Sequence, residues 1–221
     1  MDFIYQNFMA NGAWRAYANG LGVTLLITAA ALFLGTALGA VLCAMARSRF
    51  AVLRGASRGY TLFVRGTPVL LLLMLFYYVI LAPLKTSALV TAFIAFGLNC
   101  AAHIGEIMRA GLAGVDIVEV EAARSLGFTK TATFFLVQLP QAARIAKPVY
   151  QNAVVNLLQW TSVVGYVSIA DLTRVVNNMG SRTGQPFVAL ATGIGLYLLL
   201  GVIIDGLFKL SNIYAKRREE T

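Results

Sequence analysis

Charged side chains divide this sequence into long apolar blocks. Five uncharged stretches stand out: Ala16–Ala46, Gly66–Leu84, Thr86–Gly105, Val149–Ala170 and Thr183–Ile204. A transmembrane helix needs roughly 20 apolar residues, and each stretch is about that long or longer. None alternates apolar and polar residues at period two, as barrel strands do. Helices satisfy their backbone polar groups within themselves, which lipid demands. The pattern therefore predicts an all-α polytopic membrane protein with five transmembrane helices in a single domain over residues 1–221. The spans are expected at about 19–46, 62–84, 86–106, 149–170 and 185–208. Residues Met1–Ala18 read as a short, partly amphipathic lead-in. With Asp2 and no basic residue before Arg15, they lack the charged start of a cleaved signal peptide.

Composition agrees with a membrane setting. Hydrophobic residues make up 59% of the 221-residue chain and charged ones 12%, against about a half and a quarter in soluble domains. The two cysteines, Cys43 and Cys100, fall inside apolar stretches, where a thiol behaves as a small hydrophobe. A disulfide framework or a metal site is not expected.

The net charge of +9 is unevenly distributed along the chain. One set of inter-span segments holds Arg47, Arg49, Arg54, Arg58, Arg65, Arg109, Arg124, Lys130, Arg144, Lys147, Lys209, Lys216, Arg217 and Arg218. The other holds only Arg15, Lys85, Arg174 and Arg182. Lysine and arginine accumulate in cytoplasmic loops, so the N-terminus is expected outside and the C-terminus inside. Nucleic-acid binding would gather such charge on one soluble face, and topology accounts for it more simply.

The connection around Pro83 and Lys85 is short. Asp171–Pro186 reads as an outside loop, because Asn177, Asn178, Gly180, Ser181 and Gly184 are turn formers. The large connection, at about 107–147, is inside. Within it Val118–Leu126 predicts a helix closed by Gly127, a residue type suited to the left-handed position past a helix end. Thr129 then caps a second helix, Lys130–Leu139, whose end Pro140 marks. The product is a protruding elbow whose Ala122 and Ala123 leave its surface low in relief for a partner. An amphipathic connector lying on the membrane is the competing reading.

Polar residues inside spans are costly and normally face a bundle interior or a watery cavity. Asn99, His103 and Glu106 share one helical face by spacing, as do Asn152, Asn156 and Gln159, with Ser162 extending the row. Two readings stay open for these residues and Thr161: contact with a translocated solute, or interhelical hydrogen bonds of about 0.6 kcal/mol each. Glu106 and Arg109 are placed for an i, i+3 ion pair, and Arg65 either anchors its helix at the interface or gates. Gly35 and Gly39, and Gly193, Gly195 and Gly201, predict close helix packing. No phosphate-binding G-x-x-x-x-G-K-[ST] occurs, and one histidine excludes H-E-x-x-H. Neither Ser162 nor Ser168 has a base at suitable spacing.

The loop reads Glu121-Ala122-Ala123, three residues, Gly127, nine residues, then Val137-Gln138-Leu139-Pro140. This resembles the cytoplasmic EAA loop of bacterial ATP-binding-cassette (ABC) import permeases, in which Ile is commonest where Val137 stands. Phe63-Val64-Arg65-Gly66-Thr67-Pro68 resembles the FRGTP segment of the polar amino acid subfamily, with Val64 intervening. Ala102-His103-Ile104-Gly105-Glu106-Ile107-Met108-Arg109 resembles its A-Y-x-A-E-x-x-R segment. The chain departs from the subfamily at Gln159-Trp160-Thr161-Ser162, where Lys-Asp-Thr-Ser is frequent. It departs again at Leu70–Leu73, where a Gln often follows the Thr-Pro step.

The resemblance implies a type I ABC importer permease fold in the bacterial cytoplasmic membrane. It also implies a second permease subunit, identical or sister, two cytoplasmic ATPase subunits, and an extracytoplasmic solute-binding protein. ATP and Mg would sit on the ATPases, leaving no cofactor and no enzyme activity on this chain. Glu121, Ala122, Ala123, Leu126, Gly127, Leu139 and Pro140 would form the ATPase-coupling loop. Arg65, Thr67 and Pro68 would join Asn99, His103, Glu106, Gln159, Thr161 and Ser162 as candidates for the substrate pathway. Polar amino acids are the expected cargo, with opines, other small amines and sulfur amino acids as alternatives. A helical scaffold or channel without an ATPase is the alternative of a different class.

Overall fold

The computed structural model describes residues 12–217, with side chains through residue 211. The predicted lead-in therefore lies mostly outside the described residues, as does Arg218. Among the described residues the regular structure is entirely helical. Among the described residues three helices are long and apolar enough to cross a membrane, and the count reaches five when each of two bent pairs is taken as one span.

Helix α1, Ala13–Ala46, has 34 residues and so runs for about 51 Å, well beyond the roughly 30 Å hydrocarbon core. The second span is not the straight rod that its apolar run suggested. Helix α2, Ala51–Gly66, and α3, Val69–Leu75, which continues as a π-turn over Phe76–Ile80, meet at 107°. Pro68 is the cause. Its ring pushes the preceding residue out of the helical region, and Thr67 is extended at φ −107°, ψ 131°. The Thr67 hydroxyl donates to the Phe63 carbonyl at 2.8 Å, occupying a carbonyl at the end of the helix.

After a short turn at Ala82–Leu84 comes α4, Ala88–Ala113. It extends past Gly105, because Glu106 and Arg109 ride on a helical continuation of the span. The elbow helices α5, Ile117–Ser125, and α6, Lys130–Thr133, follow. Pro140 does not end a helix. Lys130–Thr133 passes through a π-turn, Phe134–Gln138, directly into α7, Leu139–Trp160. The wider turn precedes the proline, where the α-helical ladder would otherwise need the N–H that Pro140 lacks.

The presumed outside loop after Asp171 is also a helix. A 3₁₀ segment, Thr161–Val167, leads to α8, Leu172–Thr183, which bends by 58° from the continuous helix Lys130–Val167. Asp171 caps α8, accepting from the Thr173 and Arg174 backbone N–H groups, both at 3.1 Å. Leu172, Val175, Val176, Met179 and Gly180 are buried, a helical spacing hidden among residues that locally favour turns. Helix α9, Pro186–Arg217, is the last described element.

Contacts group the chain into two compact units. One comprises the described residues of Met1–Ala31, Val69–Phe96 and Val154–Thr221. Its core joins Ala13 and Tyr17 of α1, Leu172, Val175, Val176 and Met179 of α8, and Ala189 of α9. Here the Leu172 N–H donates to the buried Thr24 hydroxyl at 3.2 Å. Gly193 is packed as expected, since a Cβ there would lie 2.8 Å from Val176. Gly195 and Gly201 are not, because nothing lies within 4 Å of a Cβ at either position.

The other unit comprises Leu32–Pro68 and Gly97–Ala153. Here the Gly35–Gly39 step does bring α1 against α4: a Cβ on Gly35 would lie 2.6 Å from the Cβ of Cys100. Tyr60 on α2 donates to the Leu98 carbonyl at 2.8 Å, and Thr36 shares a 2.9 Å hydrogen bond with Tyr150 of α7. Cys43 and Cys100 are both free and buried.

Candidate functional site

The elbow is built from local signals. Asp116 accepts the Val118 N–H at 2.9 Å and caps α5, while Glu119 in the first turn suits the helix dipole. At the other end the Phe128 N–H donates to the Ala123 carbonyl and the Gly127 N–H to the Arg124 carbonyl. These two bonds define a Schellman ending, with Gly127 left-handed at φ 88°. Thr129 then accepts the Ala132 N–H at 3.2 Å, capping α6 as predicted. The Gln141 amide donates to the Glu119 carboxylate, tying α5 to α7.

Glu121 and Ala122 are exposed, and so are Leu139 and Pro140. Ala123 is not part of the low-relief surface, because it is only 6% exposed and faces its own chain. The free face is instead apolar. Ile117, Val118, Leu126 and Phe128 are all exposed, Leu126 at 79%. Such a cluster marks an interaction surface better than single scattered hydrophobes do.

The intraspan polar residues fall into two groups. In one unit Asn99, His103 and Glu106 follow one another along α4. Arg65, exposed in the last turn of α2, lies within electrostatic reach of His103 and Glu106. Glu106 and Arg109 form the expected ion pair at 2.7 Å. Both are partly exposed, so it contributes at most about 1 kcal/mol. Asn99 is 3% exposed and its Oδ1 accepts no hydrogen bond. A buried orphan acceptor costs about 1–3 kcal/mol, which counts against simple interhelical packing for this oxygen. Thr67 and Pro68 form the kink between α2 and α3.

In the other unit Thr161 is fully buried and its hydroxyl donates to the Leu158 carbonyl at 2.7 Å, within its own helix end. Ser162 beside it is half-buried, whereas Gln159 and Asn156 are exposed, as is Asn152 on the part of the same helix that belongs to the unit of Asn99. Gln159 lines a cavity of about 530 Å³ with Thr173, Asn177, Tyr197 and Asp205, on walls formed by Leu158, Val176, Ile194 and other apolar residues. Thr173 and Tyr197 share a hydrogen bond of 2.9 Å. Sequence reasoning missed every polar member of this cavity except Gln159. One signal was present: Gly193, Tyr197, Gly201 and Asp205 recur every four residues, which sets Asp205 on the same side of α9 as Tyr197 and the two glycines.

Apolar helices long enough to cross a membrane, two bent spans and polar groups set into the helices define a polytopic membrane protein. Residues 31–212 match the family described as "Binding-protein-dependent transport system inner membrane component", and the chain belongs to it. It is 32% identical over 182 residues to the "Probable amino-acid ABC transporter permease protein YckA" of Bacillus subtilis, covering 82% of this chain and 80% of that one. It is 31% identical over 201 residues to the "Histidine/lysine/arginine/ornithine transport system permease protein HisM" of Salmonella typhimurium, covering 86% of each. A solved amino acid ABC transporter with histidines superposes with a TM-score of 0.81 at 29% identity, over 89% of this chain and 92% of that one. A chain of the MetNI methionine transporter, at 18% identity, shares the fold with a TM-score of 0.75.

The protein is thus a multi-pass permease subunit of an ATP-driven importer in the inner membrane. The family is not enzymatic, and its ATPase is a separate subunit.

Proposed function

We propose that this permease carries polar amino acids inward, with its N-terminus outside and its C-terminus in the cytoplasm. It pairs with a second permease, a copy or a sister chain. Two ATPase subunits, each holding ATP and Mg, dock on the paired elbows, and a solute-binding protein delivers cargo from outside. The observation that carries the reading is the elbow: a capped, Schellman-ended helix whose exposed Ile117, Val118, Leu126 and Phe128 adjoin Glu121 and Gly127. A rigid contact of this kind transmits domain closure to the spans. Glu121, Ala122, Leu126 and Gly127 act in docking, Leu139 and Pro140 begin the helix that is moved, and Ala123 holds the elbow to its own chain.

Two polar regions serve as substrate pathway candidates. Asn99, His103, Glu106 and Arg65, beside the Thr67-Pro68 kink, form one. The cavity around Gln159 is the other, with Thr161 and Ser162 just beyond it on the chain. An amino acid zwitterion needs an anion for its ammonium and donors for its carboxylate. Asp205 can supply the first, and the Gln159 amide with the Thr173 and Tyr197 hydroxyls the second. The relatives' names span basic and acidic amino acids and octopine: OccM of Rhizobium meliloti, an octopine permease, is 30% identical over 98% of this chain. An opine, itself an amino acid derivative, is therefore the second cargo reading.

The test is uptake by the reconstituted importer, with histidine, arginine, glutamate and octopine compared. Glu121→Lys is expected to abolish uptake while the ATPase subunits still hydrolyse ATP. Wild-type uptake in that variant would overturn the docking assignment. Uptake of none of the four solutes by the wild-type importer would overturn the cargo assignment and leave docking intact.

A further inference from the structure

A second cavity, of about 610 Å³, lies in the unit comprising Leu32–Pro68 and Gly97–Ala153. Its walls come from the last two turns of α1, the last two turns of α4 and the first three turns of α7, with Phe134 of the π-turn. All three helix ends adjoin the elbow side of the membrane. Ala40, Ala44 and Ala143 line it and are exposed, so the cavity is a groove open to the outside of the bundle. Apart from Tyr150, whose hydroxyl is engaged with Thr36, the polar lining is supplied by Arg47 and Lys147, together with the buried Cys43 thiol.

We infer that this groove holds an anionic phospholipid, one acyl chain along its apolar walls and the phosphate between Arg47 and Lys147. The inference rests on the chain being a membrane permease in the proposed orientation, with the elbow side cytoplasmic, and not on its cargo. Arg47 follows the last residue of α1, at a helix end where a lipid headgroup lies, and Lys147, two turns into α7, lines the same groove from its wall. Basic pockets between spans on the cytoplasmic side select anionic headgroups, and small residues at Ala40, Ala44, Ala143 and Ala146 leave the depth a chain requires. A second copy of the permease fits less well. A self-complementary contact here would bring the same two cations of each copy towards one another.

The experiment is native mass spectrometry of the full-length permease, purified with its bound subunits. It is incubated with phosphatidylglycerol or with phosphatidylcholine of the same acyl chains. Wild type is expected to retain phosphatidylglycerol preferentially. A cation near an anionic headgroup adds about fivefold in affinity, so Arg47→Gln with Lys147→Gln should weaken retention by about twenty-five-fold. Ala143→Phe, which fills the groove from its exposed rim, should displace the lipid with both cations intact. Arg47→Lys should retain it, separating loss of charge from loss of fold. Equal retention of the two lipids by wild type, or undiminished retention in the double variant or in Ala143→Phe, overturns the proposal. So does efficient disulfide cross-linking between two permeases through Ala44→Cys, which would give the groove to a second copy.

Discussion

Gly127 offers the sharpest test of how the elbow works. Its φ of 88° lies where an L-residue is strained, yet nothing stands within 4 Å of the position a Cβ would take. Substitution therefore perturbs the backbone without creating a clash. A side chain in the left-handed region costs about 1–2 kcal/mol, equivalent to a factor of roughly 5–30 in a conformational equilibrium. The cost falls on the elbow alone, so α1, α4 and α9 should insert and pack normally. A partner that binds only the intact elbow sees its affinity reduced by the fraction of competent molecules, here by up to that factor.

The expected order is Gly127→Asn, mildly affected because Asn tolerates the left-handed region, then Gly127→Ala, then Gly127→Val, most affected through its β-branch. The assay titrates the cognate ATPase subunit onto detergent-solubilised permease, with the permease melting temperature as control. Equal affinities for Gly127→Val and wild type would refute the argument. A fall in melting temperature parallel to the fall in affinity would also refute it, because the strain would then be global.

Gly35→Leu should destabilise the solubilised permease by about 1–3 kcal/mol, since a Cβ would lie 2.6 Å from Cys100 and 3.1 Å from the Gly97 carbonyl oxygen; Gly22→Ala, mid-helix with open space around it, should not lower the melting temperature and can raise it through better helix propensity. Asp171→Ala removes the cap of α8 at a buried position, and thermal melts should register a loss of about 0.5–2 kcal/mol. Glu106→Gln breaks a partly exposed pair and should shift stability by no more than about 1 kcal/mol. Asp205→Asn should raise the KM for amino acid uptake with little change in melting temperature, and an unchanged KM would remove Asp205 from the cargo site.

The elements that could be read from sequence are those whose causes are local. Uncharged runs marked α1, α4 and α9 because hydrocarbon excludes charge irrespective of fold. Asp116, Gly127 and Thr129 shape the elbow through hydrogen bonds and backbone preferences within a few residues, so spacing alone was sufficient there. Charges misled at helix ends. Lys147 and Arg144 interrupt the apolar run but continue the helix of α7, because a helix extends into the interface where its residues can be solvated.

Tertiary structure decided the rest. Asn177, Asn178, Gly180 and Ser181 favour a turn in isolation, yet they form α8 because Leu172, Val175, Val176 and Met179 bury against α1 and α9. That packing outweighs weak local propensity. The kink at Pro68 carries a sequence signal for a break but not for its 107° angle, and the 58° bend between Val167 and Leu172 falls where the apolar run showed no break at all. The two cavities likewise join residues far apart in the chain, Gln159 with Asp205 and Arg47 with Lys147. No periodicity links them, because each pair meets only when separate helices have packed. The sequence alone thus determined that the chain enters the membrane and presents an elbow; the packing of its helices decided which polar groups face a common space.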